Sequence, residues 1–195
     1  MVLGDASVQA QEQEAGGWAS IQITQPLSHG WSVGTRGEWR QRDQMNQLDL
    51  AFLRVMVGYR MTDWLSGELA TDHMWRPSVQ QNRLLCSLTA SWHLDAFTFL
   101  LRQRFVHAHD RDAHRSSQVM RTRSTLSYRI GTSRWSPYIG IEGYSWNRWQ
   151  MTHTFAGTQL KLGSHNKIDL FYVCNIKPSP APVIHSLGVG YYYTF

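Results

Sequence analysis

The chain has 195 residues and a formal net charge of +5, enough for one domain or one small barrel. Its mean hydropathy is −0.39, and no run approaches the ~18 apolar residues of a membrane helix, so a helix-spanning protein is excluded. Of its 19 basic residues only Lys161, Lys167 and Lys177 are lysines, and the arginines fall singly along the chain, with no contiguous patch to suit nucleic acid as a partner.

A membrane barrel escapes a hydropathy scan, because lipid-facing residues alternate with polar ones and the average is mildly polar. Nine tryptophans and eight tyrosines fit that reading, since amphipathic rings favour the membrane–water interface.

The first sixteen residues stand apart. SVQAQEQE (7–14) resembles the end of a secretory signal and the start of a mature chain. The basic and apolar regions that precede such a cut are missing, so 1–16 is read as a leader or N-terminal extension and 17–195 as the folded unit.

From Gly17 onward, period-two alternation predicts extended segments. In 17–25, Ala19, Ile21 and Ile23 share one face, with Ser20, Gln22 and Thr24 on the other. In 30–41, Trp31, Val33, Thr35 and Trp39 oppose Ser32, Arg36, Glu38 and Arg40. In 48–61, Ala51, Leu53, Val55, Val57 and Tyr59 oppose Arg54, Gly58 and Arg60. In 81–92, Leu84, Cys86, Leu88 and Trp92 oppose Arg83, Ser87, Thr89 and Ser91. In 97–107, Phe97, Phe99, Leu101 and Phe105 oppose Thr98, Arg102 and Arg104. Segments near 64–75, 118–130, 136–147, 150–162, 167–176 and 184–195 behave alike, and none shows a 3.6-residue period.

These segments run about 10–14 residues, longer than the ~5–6 of a typical globular strand and suited to a tilted membrane strand. The polar phase carries both signs: Arg36, Glu38, Arg40, Arg54, Glu68, Asp72, Arg83, Arg102, Arg104, Arg121, Arg123 and Glu142. Opposite charges on one phase suit a closed lumen in which they pair across strands. The expected fold is therefore all-β: a single closed antiparallel transmembrane barrel.

Eleven segments are legible, whereas bacterial single-chain barrels have even strand numbers. The expectation is about twelve strands, part of 1–16 supplying one, with ten as the alternative. Breaks at 26–30, 61–64, 93–96, 131–135 and 163–166 are tight and read as periplasmic turns. Those at 41–47, 76–81, 107–117 and 177–182 are looser and read as extracellular loops. Trp31, Trp64, Trp92 and Trp135 then form one girdle, and Trp18, Trp39, Trp75, Trp146 and Trp149 the other. Cys86 and Cys174 fall on the apolar phase and read as unpaired, lipid-facing residues.

The chain ends GVGYYYTF, in which Gly190, Tyr193 and Phe195 fit the glycine–aromatic–aromatic signal that barrels present to the outer-membrane assembly machinery. The leading Gly17–Trp18, LLRQRF (100–105), SPYIGIEGY (136–144) with Glu142, and FAGTQLKLGSHNKIDLFYV (155–173) resemble an uncharacterised family of small outer-membrane barrels common in Bacteroidota. The resemblance spans roughly 17–195. It implies a bacterial outer-membrane location and supplies no activity, cofactor or catalytic residue.

Three functions follow from the residues. The leading one is a structural or accessory barrel, a candidate subunit of a larger outer-membrane complex, with the inward charges as lumen filling. The second is a narrow, anion-favouring pore or transporter, since basic groups outnumber acids on the lumen phase. The third is an enzyme acting on outer-leaflet lipid or lipopolysaccharide, with His73, His107, His109, Asp110 and His153 as rim candidates. No metal site or cofactor is expected. Expected partners are membrane lipid and lipopolysaccharide, the assembly machinery and other outer-membrane proteins.

Overall fold

The computed structural model describes residues 13–146, 148–178 and 181–195. The alternating segments become strands: β1 (Gln13–Pro26), β2 (Trp31–Arg42), β3 (Gln47–Arg60), β4 (Leu65–Arg76), β5 (Val79–Leu94), β6 (Phe97–Asp110), β7 (Ser116–Tyr128), β8 (Trp135–Trp146), β9 (Arg148–Lys161), β10 (Asn166–Ile176) and β11 (Val183–Thr194). Each pairs antiparallel with its sequence neighbours, and β1 closes the barrel on β11.

That closing pair is parallel, in register from Gln13 opposite Val183 to Thr24 opposite Thr194. The described residues thus form eleven strands in a mixed sheet, which corrects the expected twelve (or ten) and the purely antiparallel topology. In an up-and-down barrel with an odd count, the first and last strands run the same way. What a membrane demands is that no sheet edge be left open, and a parallel ladder meets that demand with slightly weaker bonds. The eleven segments needed no twelfth. Residues 13–16, set aside as leader, belong to β1, where Ala15 faces His185; 1–12 lie outside the described residues.

The loop asymmetry is also corrected. Connections at one end, termed lower, occupy 27–30, 61–64, 95–96, 129–134 and 162–165; those at the upper end include 43–46, 77–78, 111–115 and 177–182. Both sets are short, because the strands continue through segments that composition marks as loops. The stretch 76–81 tightens to a turn at 77–78, and β6 runs on to Asp110. Polar residues there keep the period-two pattern beyond the apolar band, so the ladder extends into the aqueous layer.

Outside, the apolar phase forms a band of large exposed side chains, among them Ile21, Leu53, Val55, Leu69, Leu84, Leu88, Ile139 and Leu187. A surface that apolar cannot face water in a soluble protein and suits the ~25 Å hydrocarbon band of a membrane barrel. Trp64 stacks with Trp92 (centroids 6.5 Å apart) and Trp92 with Phe99 (5.6 Å) at its lower edge. Trp39, Trp75, Trp146 and Trp149 lie exposed towards the upper edge. Trp18 does not join them. It shares the phase of Ser20 and Gln22, and its ring meets Phe171 inside the barrel at 5.4 Å. Cys86 is exposed and Cys174 half-buried, both free thiols.

The inside is not uniformly polar. Met56, Ala70, Leu85 and Val106 form one buried cluster, and Leu50, Phe52 and Met74 another. Their parity matches the arginines of the same strands, so β3 to β6 supply an apolar wall; Tyr138, Phe155 and Val173 form a third cluster with Trp18 and Phe171, and charged side chains take the space between.

Strand phase is testable at neighbouring positions. Ile21→Arg or Leu53→Arg sets a charge against hydrocarbon, which costs about 2–4 kcal/mol near the bilayer midplane. Gln22→Arg points inward and should leave insertion intact. Urea-titrated refolding into liposomes measures the difference; equal tolerance of all three would contradict the assigned faces.

Candidate functional site

The charged lumen is built in rows that run from strand to strand along the hydrogen-bonding direction. One row sets Arg36, Arg54, Asp72 and Arg83 side by side across β2 to β5. A second sets Glu68, Ser87, Arg104 and Arg121 across β4 to β7. A third sets Arg102, Arg123, Glu142 and His153 across β6 to β9. Three of these contacts, Arg36–Arg54, Arg102–Arg123 and Arg104–Arg121, place like charges directly opposite, an arrangement that is unfavourable without compensation.

Compensation comes from carboxylates shared between two guanidinium groups. Glu38 accepts from Arg36 at 2.8 Å and from Arg40 at 2.6 Å. Asp72 accepts from Arg54 at 2.7 Å and from Arg83 at 2.6 Å. Glu142 accepts from Arg102 at 3.1 Å and from Arg121 at 3.0 Å, and Tyr144 Oη donates to it at 3.2 Å. The three acids are almost wholly buried, with side-chain exposures of 2, 0 and 4%. Glu68 is 29% exposed and takes Arg104 alone at 2.8 Å, while Ser87 Oγ accepts from Arg104 Nε at 2.7 Å.

Aromatic faces carry part of the remaining positive charge. Arg40 lies 3.4 Å from the Trp18 ring centroid, Arg123 4.1 Å from Phe155 and Arg121 4.6 Å from Tyr144. Gly140 makes room for the Phe155 ring: a Cβ there would sit 2.3 Å from it. A residue without a side chain on β8 therefore lays down the surface on which Arg123 rests. Arg123 makes no ion pair among the described residues. In register it faces Glu142, whose two oxygens are taken by Arg102 and Arg121.

Eight arginines and three glutamates meet around a central cavity of about 100 Å³. A second cavity, of about 60 Å³, reaches Tyr138, Asp169 and Tyr192 and shares Trp18, Arg36, Arg123 and Glu142 with the first. Tyr138 Oη donates to Asp169 at 2.9 Å. At the lower mouth, Lys161 and Lys167 line a wider opening of about 410 Å³.

The twelve charged residues of the polar phase all lie inside the barrel. The rim candidates do not come together there. His73 and His109 point outward above the apolar band, where His73 Nδ1 contacts Asn82 Oδ1 at 2.6 Å and His109 Nδ1 contacts Ser116 Oγ at 3.2 Å. His107 shares their outward phase, and Asp110 caps the 111–115 turn by accepting from two backbone N–H groups. His153 is buried in the lumen against Trp18 and Tyr144. Opposite phases thus separate His153 from the other histidines, which corrects the rim cluster. The described residues hold no group of three or more His, Cys, Asp or Glu placed to bind a metal ion. Tyr193 and Phe195 pack edge-on at 4.8 Å at the lower end of β11, and Phe195 N donates to Thr24 O of β1 at 3.1 Å.

Trp18, Phe52, Tyr144 and Phe155 belong to the site and were not singled out for it from the sequence. The available signal was parity: Phe52 shares the phase of Arg54, Trp18 and Tyr144 stand in register opposite Arg40 and Arg121, and Phe155 shares the phase of His153.

A family model described as "Protein of unknown function (DUF2490)" matches residues 15–184. No curated protein matches the chain. Among the solved structures of similar fold, a NanC porin has a TM-score of 0.60 at 12% identity, covering 93% of this chain and 99% of that one. A KdgM porin has a TM-score of 0.54 at 13% identity, covering 79% and 81%. At such identities the likeness is one of fold.

The shared carboxylates set an order of mutational cost. Glu142→Gln strands two buried guanidinium groups and should destabilise the barrel by about 3–5 kcal/mol. Glu68→Gln leaves one guanidinium, Arg104, without a carboxylate but still on Ser87 Oγ, and should cost less, about 1–3 kcal/mol. Urea unfolding of both variants in detergent micelles or liposomes gives the comparison; equal costs would contradict the assigned sharing.

Proposed function

The chain belongs to the DUF2490 family, and on that footing we propose that it is a non-enzymatic outer-membrane barrel of a Gram-negative bacterium whose lumen is a narrow passage favouring anions. The location is supported by the closed barrel, the aromatic-edged apolar band, the terminal GVGYYYTF and the fold shared with proteins named porins. The lower end, with the C-terminus, faces the periplasm, and the upper end meets lipopolysaccharide.

One observation carries the passage: of the eight arginines around the central cavity, seven pair with four carboxylates and the eighth, Arg123, has no ion pair among the described residues. The field of such a lumen, enclosed by low-dielectric walls, attracts anions and repels cations. The central cavity is small, so traffic is limited to ions and very small solutes. The same packing favours a second reading, an accessory barrel that stays shut and serves a larger complex.

Planar-bilayer recording separates the two. The passage predicts a small steady conductance with a reversal potential displaced towards the chloride equilibrium potential in a KCl gradient. Arg123→Glu should move that potential towards zero. Silence across many insertions would contradict the passage and leave the accessory barrel.

The C-terminus is the proposed docking signal for the assembly machinery. Replacing Tyr193 and Phe195 together with serine removes that signal and two interfacial anchors, so surface levels should fall several-fold in cells. Normal levels of the double variant would contradict it.

A further inference from the structure

The central cavity has donors left over after the carboxylates are shared out. The Nε–H groups of Arg36, Arg102 and Arg121 are buried without an acceptor among the described residues, and all three residues line the cavity. Arg123 lines it too and, among the described residues, has no ion pair and a single side-chain hydrogen bond, a long one of 3.4 Å to Thr125 Oγ1. Arg36 of β2 and Arg123 of β7 also line the adjoining cavity, so they stand where the two spaces meet, with Arg102 and Arg121 on the central one.

A buried donor without an acceptor costs about 1–3 kcal/mol, and a buried charge without a partner costs more. Three such donors and one unpaired guanidinium in one small volume leave a positive potential that the neighbouring acids do not cancel. A tetrahedral dianion answers both deficits, offering two negative charges and four acceptor oxygens. Guanidinium groups match that geometry with paired N–H donors. The cavity, at about 100 Å³, admits one such ion and excludes a sugar or nucleotide. Its position inside a closed barrel excludes a lipid headgroup, whose acyl chains have no way in.

We infer that the mid-lumen cavity is a binding site for a single small oxyanion of the phosphate or sulfate type, held by Arg36, Arg102, Arg121 and Arg123. The inference deepens the anion-favouring reading of the lumen but does not require ion flow.

The test is calorimetric titration of the purified full-length barrel in detergent with inorganic phosphate and, separately, sulfate, at constant ionic strength in chloride. The expected result is saturable binding of one ion per barrel, weakened tenfold or more by Arg123→Gln and partly restored by Arg123→Lys. Arg123 has no carboxylate to strand, so its removal leaves the ion pairs intact. Independently, phosphate should raise the unfolding midpoint of the wild-type barrel above that in chloride of equal ionic strength. Absence of saturable binding by either ion, or undiminished binding by Arg123→Gln, overturns the site. Binding by a barrel that passes no current keeps the site and overturns the passage; current without binding does the reverse.

Discussion

The lumen is organised by one scarcity: fewer carboxylates than guanidinium groups in a narrow space walled off from lipid. Glu38, Asp72 and Glu142 each answer it by bridging two arginines, and Trp18, Tyr144 and Phe155 by lending ring faces. The scarcity also explains the choice of cation. Arginine is more weakly hydrated than lysine and forks its donors towards two acceptors at once. The lysines sit where water reaches, Lys161 and Lys167 at the lower mouth and Lys177 in the upper 177–182 connection.

Barrel closure makes that interior possible. The parallel β1–β11 ladder leaves no edge among the described strands, so lipid meets only side chains and the charges are sealed in. The apolar wall from β3 to β6 narrows the space and presses the arginines of the facing strands together. Glycine has a matching role, since Gly140 brings Phe155 close enough to the sheet to carry Arg123. Structure and electrostatics are thereby tied: a change in Glu38, Asp72 or Glu142 acts on two cations and on the stability of the wall between them.

The strands were legible because period-two alternation is a local property that needs no knowledge of partners. All eleven segments, from 17–25 to 184–195, became strands, and Leu53 and Arg54 took opposite faces as their parity required. Trp18 departs from the girdle because its parity, that of Ser20 and Gln22, outweighs its place near a strand end. The closing pair was illegible, since nothing local distinguishes a parallel seam between β1 and β11 from a missing strand. The sharing of acids was illegible for a related reason. Glu142 stands opposite Arg123 in register yet bonds Arg102 and Arg121, because side chains reach diagonally across a sheared wall.

That sharing is the centre of the account, and solid-state NMR of the barrel in lipid, with labelled guanidinium nitrogens and carboxylate carbons, reads it directly. Dipolar dephasing should show Glu38, Asp72 and Glu142 each coupled to two guanidinium groups and Arg123 coupled to none. One-to-one pairing, with Glu142 on Arg123, would contradict it.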